Sequence, residues 1–119
     1  MNSKALIKAT LVGTVAQVAM VVIGHVWAPA QAAFLWGGLA LSLLAGLVYG
    51  RAAGGQMAGA AIGGLIAGGV CAFIGIAVSF ALGDVAAPIL AFGTLGSAVA
   101  GLLGGLIGRL IARPAASPA

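Results

Sequence analysis

The stretch MAGAAIGGLIAGGVCAFIGIAVSFAL, residues 57–82, contains no charged side chain and one hydroxyl, Ser79. As a helix, at about 1.5 Å per residue, it is longer than the roughly 30 Å hydrocarbon core of a bilayer. It shows no two-residue alternation and far exceeds the roughly ten residues of a membrane-barrel strand. In lipid the backbone must satisfy its own hydrogen bonds, which leaves the helix as the spanning form. Three more apolar stretches flank it, at Ala5–Trp27, Ala32–Gly50 and Pro88–Ile111. The reading is an all-α, integral membrane four-helix bundle. It forms one domain over residues 1–113, with a disordered tail over 114–119 that holds Pro114 and Pro118. The third span, Met57–Leu82, is long enough to tilt.

Composition supports this class. Of 119 residues, 63% are hydrophobic and 5% charged, where a soluble domain has about 25% charged residues. A water-soluble domain would have no polar shell to build from. The net charge of +4 does not point to nucleic acid, because its few basic residues are dispersed at span ends. Cys71 is the only cysteine, which excludes an internal disulfide or a cysteine-rich metal site; mid-span, it reads as a small packing residue.

The basic residues fall on one side of a four-span topology. Lys4 and Lys8 precede or open the first span, Arg51 lies between the second and third, and Arg109 and Arg113 close the fourth. The connections around Ala28–Ala33 and Gly83–Ala87 carry no Lys or Arg, and the second holds Asp84, the only acid. The positive-inside rule then puts both termini in the cytoplasm, in a bacterial inner membrane. Lys8 and Arg109 can snorkel from helix ends. Arg51–Gln56 reads as a connection in which Gly54 and Gly55 turn. Trp27, Trp36 and Tyr49 suit interfacial rings, and Pro88 suits the first turn of the fourth helix. Lys4, Lys8 and an apolar run before Ala30-Gln31-Ala32 also have the outline of a cleavable signal peptide. That run, Ala9–Trp27, exceeds the usual h-region of about 7–15 residues, so a retained first span is expected.

Glycine, with 21 residues, is the second informative feature. In a membrane, small residues let helix backbones approach closely. On the second span Gly38, Ser42, Gly46 and Gly50 form one ridge. The third carries Gly55, Gly59, Gly63 and Ala67 beside Ala60, Gly64, Gly68 and Ala72. The fourth carries Gly93, Ser97, Gly101 and Gly105 beside Gly96, Ala100, Gly104 and Gly108. A helix smooth on two adjacent stripes can contact two neighbours. Packing within the bundle and an oligomeric or sliding interface are both compatible with this pattern.

Polar residues within spans are the default place to look for function. Thr10, Thr14, Gln17, Val21 and Gly24 share one face of the first span, which should point inward. Gln17 lies near the midplane and needs a partner; Ser42 and Ser97 lie at similar depth, as does Cys71. A hydrogen-bonded structural cluster and a polar path for a solute are the two readings. His25 and Asp84 both belong to the other end from the basic residues. They can form a pair that senses pH or holds a cation, or act separately as an interfacial histidine and a cap on the fourth helix. Paired carboxylates, a metal-ligand cluster, a nucleophile–base arrangement and a phosphate loop are all missing from the sequence, so neither enzymatic activity nor a cofactor is expected.

The run Gly46-Leu-Val-Tyr-Gly50-Arg51-Ala-Ala53-Gly54, leading into Gly59-Ala-Ala-Ile-Gly63, and the closing Gly101-Leu-Leu-Gly-Gly-Leu-Ile-Gly108 resemble small glycine-rich four-span bacterial membrane proteins of unknown function. The resemblance covers roughly the last three spans. It implies a four-helix inner-membrane protein and brings no activity or site residues. The expected function is a non-enzymatic structural or accessory subunit that packs through its Gly/Ala faces, as a homo-oligomer or in a larger membrane complex within the lipid bilayer. The alternative is a small transporter or channel subunit with a polar midplane path.

Overall fold

The structure, a computed structural model, describes residues 2–27, 29 and 34–112. It contains four helices: α1 (Ser3–Val26), α2 (Phe34–Ala53), α3 (Met57–Ala81) and α4 (Ala87–Ile111). Each is long and apolar enough to cross a membrane. Arg113, the tail 114–119 and the Ala30-Gln31-Ala32 segment lie outside the described residues, as does most of the Ala28–Ala33 connection.

Local signals set the helix ends. Asn2 caps α1, its side-chain oxygen accepting from the Ala5 amide at 3.1 Å, which supplies one of the first-turn amides with a partner. Pro88 sits in the first turn of α4, where no intrahelical amide is lost. Gly54 and Gly55 turn the chain between α2 and α3 with φ of 67° and 78°, and Gly83 turns it after α3 with φ of 81°. A side chain would be strained at such angles. Arg51 belongs to the last turn of α2, which continues through Ala53; the connection is therefore shorter than the sequence suggests. The cap of α4 is the Ala86 position with no side-chain bond, so Asp84 is not a capping residue.

The helices run alternately up and down. Asn2 N donates to Tyr49 Oη at 3.3 Å and Arg109 Nε donates to Gly55 O at 2.6 Å. Those contacts gather the start of α1, the α2–α3 turn and the end of α4. Lys4, Lys8, Arg51 and Arg109 therefore share one end, called here the basic end. At the other end, the Asp84 end, His25 meets Asp84. In cross-section α2 and α3 form a central pair, flanked by α1 on one side and α4 on the other. Among the described residues no Cα of α1 comes within 8 Å of one of α4.

The interior is built from small residues. Ala9, Ala45, Ala67 and Cys71 are buried together with Gly64, Gly101 and Gly105. Large apolar side chains point outward; Phe92 and Leu110 are each 72% exposed. A soluble protein of this size would bury such residues. The inverted pattern is that of a multi-pass membrane protein, in which lipid solvates the Leu, Ile and Phe faces and helix contact comes from close packing.

One aromatic residue departs from the sequence reading. Trp27 and Trp36 are exposed, but Tyr49 is 1% exposed and lies flat on Gly63, whose missing side chain makes the space for the ring.

Candidate functional site

The glycine stripes determine where the bundle is closed. A Cβ added at Gly46 would fall on Gly101 O, and one at Gly50 on Gly105 O. Gly64 likewise faces Gly101 O, and Gly68 faces Gly101 Cα at 2.7 Å. The second stripe of α4, Gly104 and Gly108, lies against the backbone of Leu43 and Leu47 on α2. Along these contacts between α2, α3 and α4, glycine meets backbone. Gly55 and Gly59 differ from the other stripe residues: nothing stands within 4 Å of where their Cβ atoms would be.

Toward the Asp84 end the contacts change. A Cβ at Gly37 would meet Met20 Sδ at 2.7 Å, one at Gly93 would meet Ile76 Cδ1 at 2.6 Å, and one at Gly96 would meet Leu39 Cδ2 at 3.7 Å. Here glycine faces the tips of long side chains rather than backbone. The space left is a cavity of about 260 Å³ reached by all four helices. Gln17, Gly38 and Gly75 line its midplane side, called here the floor, Ser79 and Ser97 lie between, and Asp84 lines its other end, called here the mouth.

Gln17 is 2% exposed. Its Nε2 donates to Gly38 O and to Ser42 Oγ, both at 3.1 Å, with Cys71 Sγ further off at 3.9 Å. Ser42 Oγ passes the chain on by donating to Gly68 O at 3.2 Å, and Cys71 Sγ also donates to Gly68 O, at 3.3 Å. This network ties α1, α2 and α3 together. A carbonyl oxygen can only accept, so Gly38 O fixes the amide with its nitrogen toward α2. Gln17 Oε1 then has no donor among the described residues.

Of the two partners expected for Gln17, the structure provides Ser42 and not Ser97. Ser97 lies on α4, whose backbone stays clear of α1; it lines the cavity instead. Ser42 is fully buried, below the cavity rather than along an open path. The inward face of α1 is Ala5, Ala9, Gly13, Gln17, Val21 and Gly24. Thr10 and Thr14 sit at its edge, and the Thr14 hydroxyl has no partner. The Ser79 hydroxyl also lacks one, although Ser79 is 2% exposed.

At the mouth, His25 Nδ1 lies 3.0 Å from Asp84 Oδ2, the imidazole 42% and the carboxylate 12% exposed. The Asp84 amide donates to Ser79 O at 3.0 Å, which folds the α3–α4 turn over the cavity. The chain's only carboxylate therefore stands at the opposite end from Lys4, Lys8, Arg51 and Arg109. No group of three or more His, Cys, Asp or Glu that could hold a metal ion is found among the described residues. The chemistry this site offers is hydrogen bonding within a largely apolar pocket.

The cavity was not readable from spacing. Gly38 and Gly75 are helical glycines like many others in this chain, and only their position beside Gln17 gives them a role. No family model, no curated protein and no solved structure matches this chain.

Proposed function

We propose that this chain is a non-enzymatic structural or accessory protein of the bacterial cytoplasmic (inner) membrane, with both termini in the cytoplasm. The observation that carries this reading is the distribution of residue size: the interior is mostly glycine and alanine, and most of the large apolar side chains, such as Leu11, Trp36, Phe92 and Leu110, lie outside. The stripes act as the glue of one self-contained bundle. Its outer apolar surface is left for lipid, further copies or the helices of a larger complex. The gathering of Lys4, Lys8, Arg51 and Arg109 at one end supports the orientation through the positive-inside rule.

Purification from native membranes in mild detergent tests the accessory role. A homo-oligomer or a stoichiometric complex is expected, and a solitary monomer across several detergents overturns the role. For orientation, a fluorescent protein fused after residue 119 is expected to mature, whereas an alkaline phosphatase fusion there should stay inactive. Active phosphatase refutes cytoplasmic termini.

A second reading, a transporter or channel subunit, draws support from the cavity and its polar floor. Passage would require the Gln17–Ser42–Gly68 seam and the glycine contacts beneath it to part. Solute flux in liposomes that Gln17→Leu abolishes is the result expected on this reading, and no flux across a broad panel excludes it.

A further inference from the structure

We infer that the cavity at the Asp84 end is a binding site for a small, largely apolar molecule carrying one hydrogen-bond donor, an alcohol or an amine. Binding requires neither passage through the bundle nor a protein partner, so the inference goes beyond the proposed function.

Size sets the first limit. A dry apolar cavity of roughly 150 Å³ takes up benzene, so about 260 Å³ has room for a ring with a short side chain. The walls set the second. Met20, Phe34, Leu39, Ile76 and Ile89 line the space and favour an apolar body over a sugar or an ion. Binding pockets commonly combine such walls with a few placed polar groups.

The floor selects the polar end. Gln17 Nε2 is committed to Gly38 O and Ser42 Oγ, which leaves Oε1 as an acceptor without a donor among the described residues. Glycine on both neighbouring helices keeps that oxygen uncovered. A methyl at Gly38 would stand 3.7 Å from Oε1, and one at Gly75 would stand 3.6 Å from it. An acceptor left open to the cavity on a residue only 2% exposed calls for a donor, which an acyl chain of lipid cannot supply. Ser79 also lines the space, but its partnerless hydroxyl is buried away from it, so the Gln17 oxygen carries the polar selection.

The mouth excludes anions. Asp84 lines it, His25 is its partner, and the described Lys and Arg residues all stand at the basic end. A neutral alcohol and a cationic amine share the donor that the floor requires. They differ only in how Asp84 would act on them.

The test uses the full chain in lipid nanodiscs, with Cys71→Ser to remove the native thiol and Ser97→Cys as a reporter on the cavity wall. The measured quantity is the rate at which methyl methanethiosulfonate modifies the reporter, alone and with benzyl alcohol, benzylamine or toluene at matched membrane concentration. Benzyl alcohol, benzylamine or both should slow modification about fivefold more than toluene, which is what one added hydrogen bond contributes. Protection by the alcohol alone identifies a neutral ligand. Protection by the amine that Asp84→Asn weakens identifies a cationic one.

Two floor variants check the cause. Gln17→Met removes the acceptor at similar volume, and Gly38→Ala covers it with a methyl that meets only ordinary van der Waals neighbours. Loss of protection in either, with the reporter still reactive, supports the site. Equal protection by toluene overturns the inference, as does no protection by any compound or full protection in both floor variants. A failed liposome flux assay would bear on transport alone, and a solitary monomer on the accessory role alone, so neither is confused with failure here.

Discussion

The two halves of this bundle are made from the same kind of helix and nearly the same residues, yet one is closed and the other holds a cavity. Near the basic end, glycines of α2, α3 and α4 face backbone: Gly46 against Gly101, Gly50 against Gly105, Gly105 against Ala60. Near the Asp84 end, glycines face side-chain tips: Gly37 against Met20, Gly93 against Ile76, Gly96 against Leu39. Glycine permits close approach; the residue opposite decides whether approach occurs. The contrast assigns the basic half to holding the bundle together and the Asp84 half to presenting a partly open cavity.

The largest expected effect comes from breaking the closed half. At Gly101 a Cβ would collide with Gly64 O and stand 2.8 Å from Gly68 Cα, both backbone atoms that a rotamer change cannot move. Gly101→Leu should destabilise the bundle by about 3 kcal/mol or more, read as loss of the monodisperse species in mild detergent. An unchanged elution profile and melting temperature would show that the closed half is not held by glycine contact.

Next comes the ring that fills the same half. Tyr49→Ala removes the largest fully buried side chain and should lower stability by about 3 kcal/mol, measured by thermal unfolding in detergent. Tyr49→Phe keeps the packing on Gly63 and loses only the 3.3 Å bond from Asn2 N, so it should stay within about 1 kcal/mol of the parent. Similar melting temperatures for the two variants would remove the ring from the account of closure.

The boundary between the halves is the third place to probe. Gln17→Leu deletes the donor to Gly38 O and Ser42 Oγ, while Ser42 keeps Gly68 O. Interhelical hydrogen bonds in membranes contribute about 0.6–2 kcal/mol, so a loss of about 1 kcal/mol is expected. A loss as large as that of Gly101→Leu would mean that the amide, and not the glycine seam, holds the helices.

The smallest effect belongs to the rim. His25 is partly exposed, and surface pairs of this kind contribute about 0–1 kcal/mol. His25→Ala should leave the melting temperature almost unchanged. A large drop would show that the Asp84 end is held shut by that pair rather than apart by Met20, Ile76 and Leu39.

Much of the architecture was legible in the chain, because the signals were local. Asn2, Pro88 and the Gly54–Gly55 turn act within a few residues of themselves, and the helix bounds follow from them. Tyr49 was not legible. Its place at the end of an apolar run suits an interfacial ring, and nothing in α2 announces that Gly63, on another helix, leaves a berth for it. Gln17 was half legible: an intramembrane amide must find a partner, but Ser42 and Ser97 were equal candidates until the helix arrangement was known. Gly59 marks the reverse case, a stripe residue with the right spacing and no helix opposite.

Sequence alone determined that this protein is four apolar helices with its basic residues toward one side, since hydropathy, length and charge position act on each segment separately. Tertiary structure alone decided that α1 and α4 stay apart, that Gln17 binds Ser42, that Tyr49 goes inside, and that the space between the helices collects at the Asp84 end. The physical reason lies in the small residues. Glycine and alanine accept any neighbour at close range and therefore encode no partner. Which helices close and which stand apart depends on whether backbone or a long side chain lies across the gap, and that is a property of two helices together.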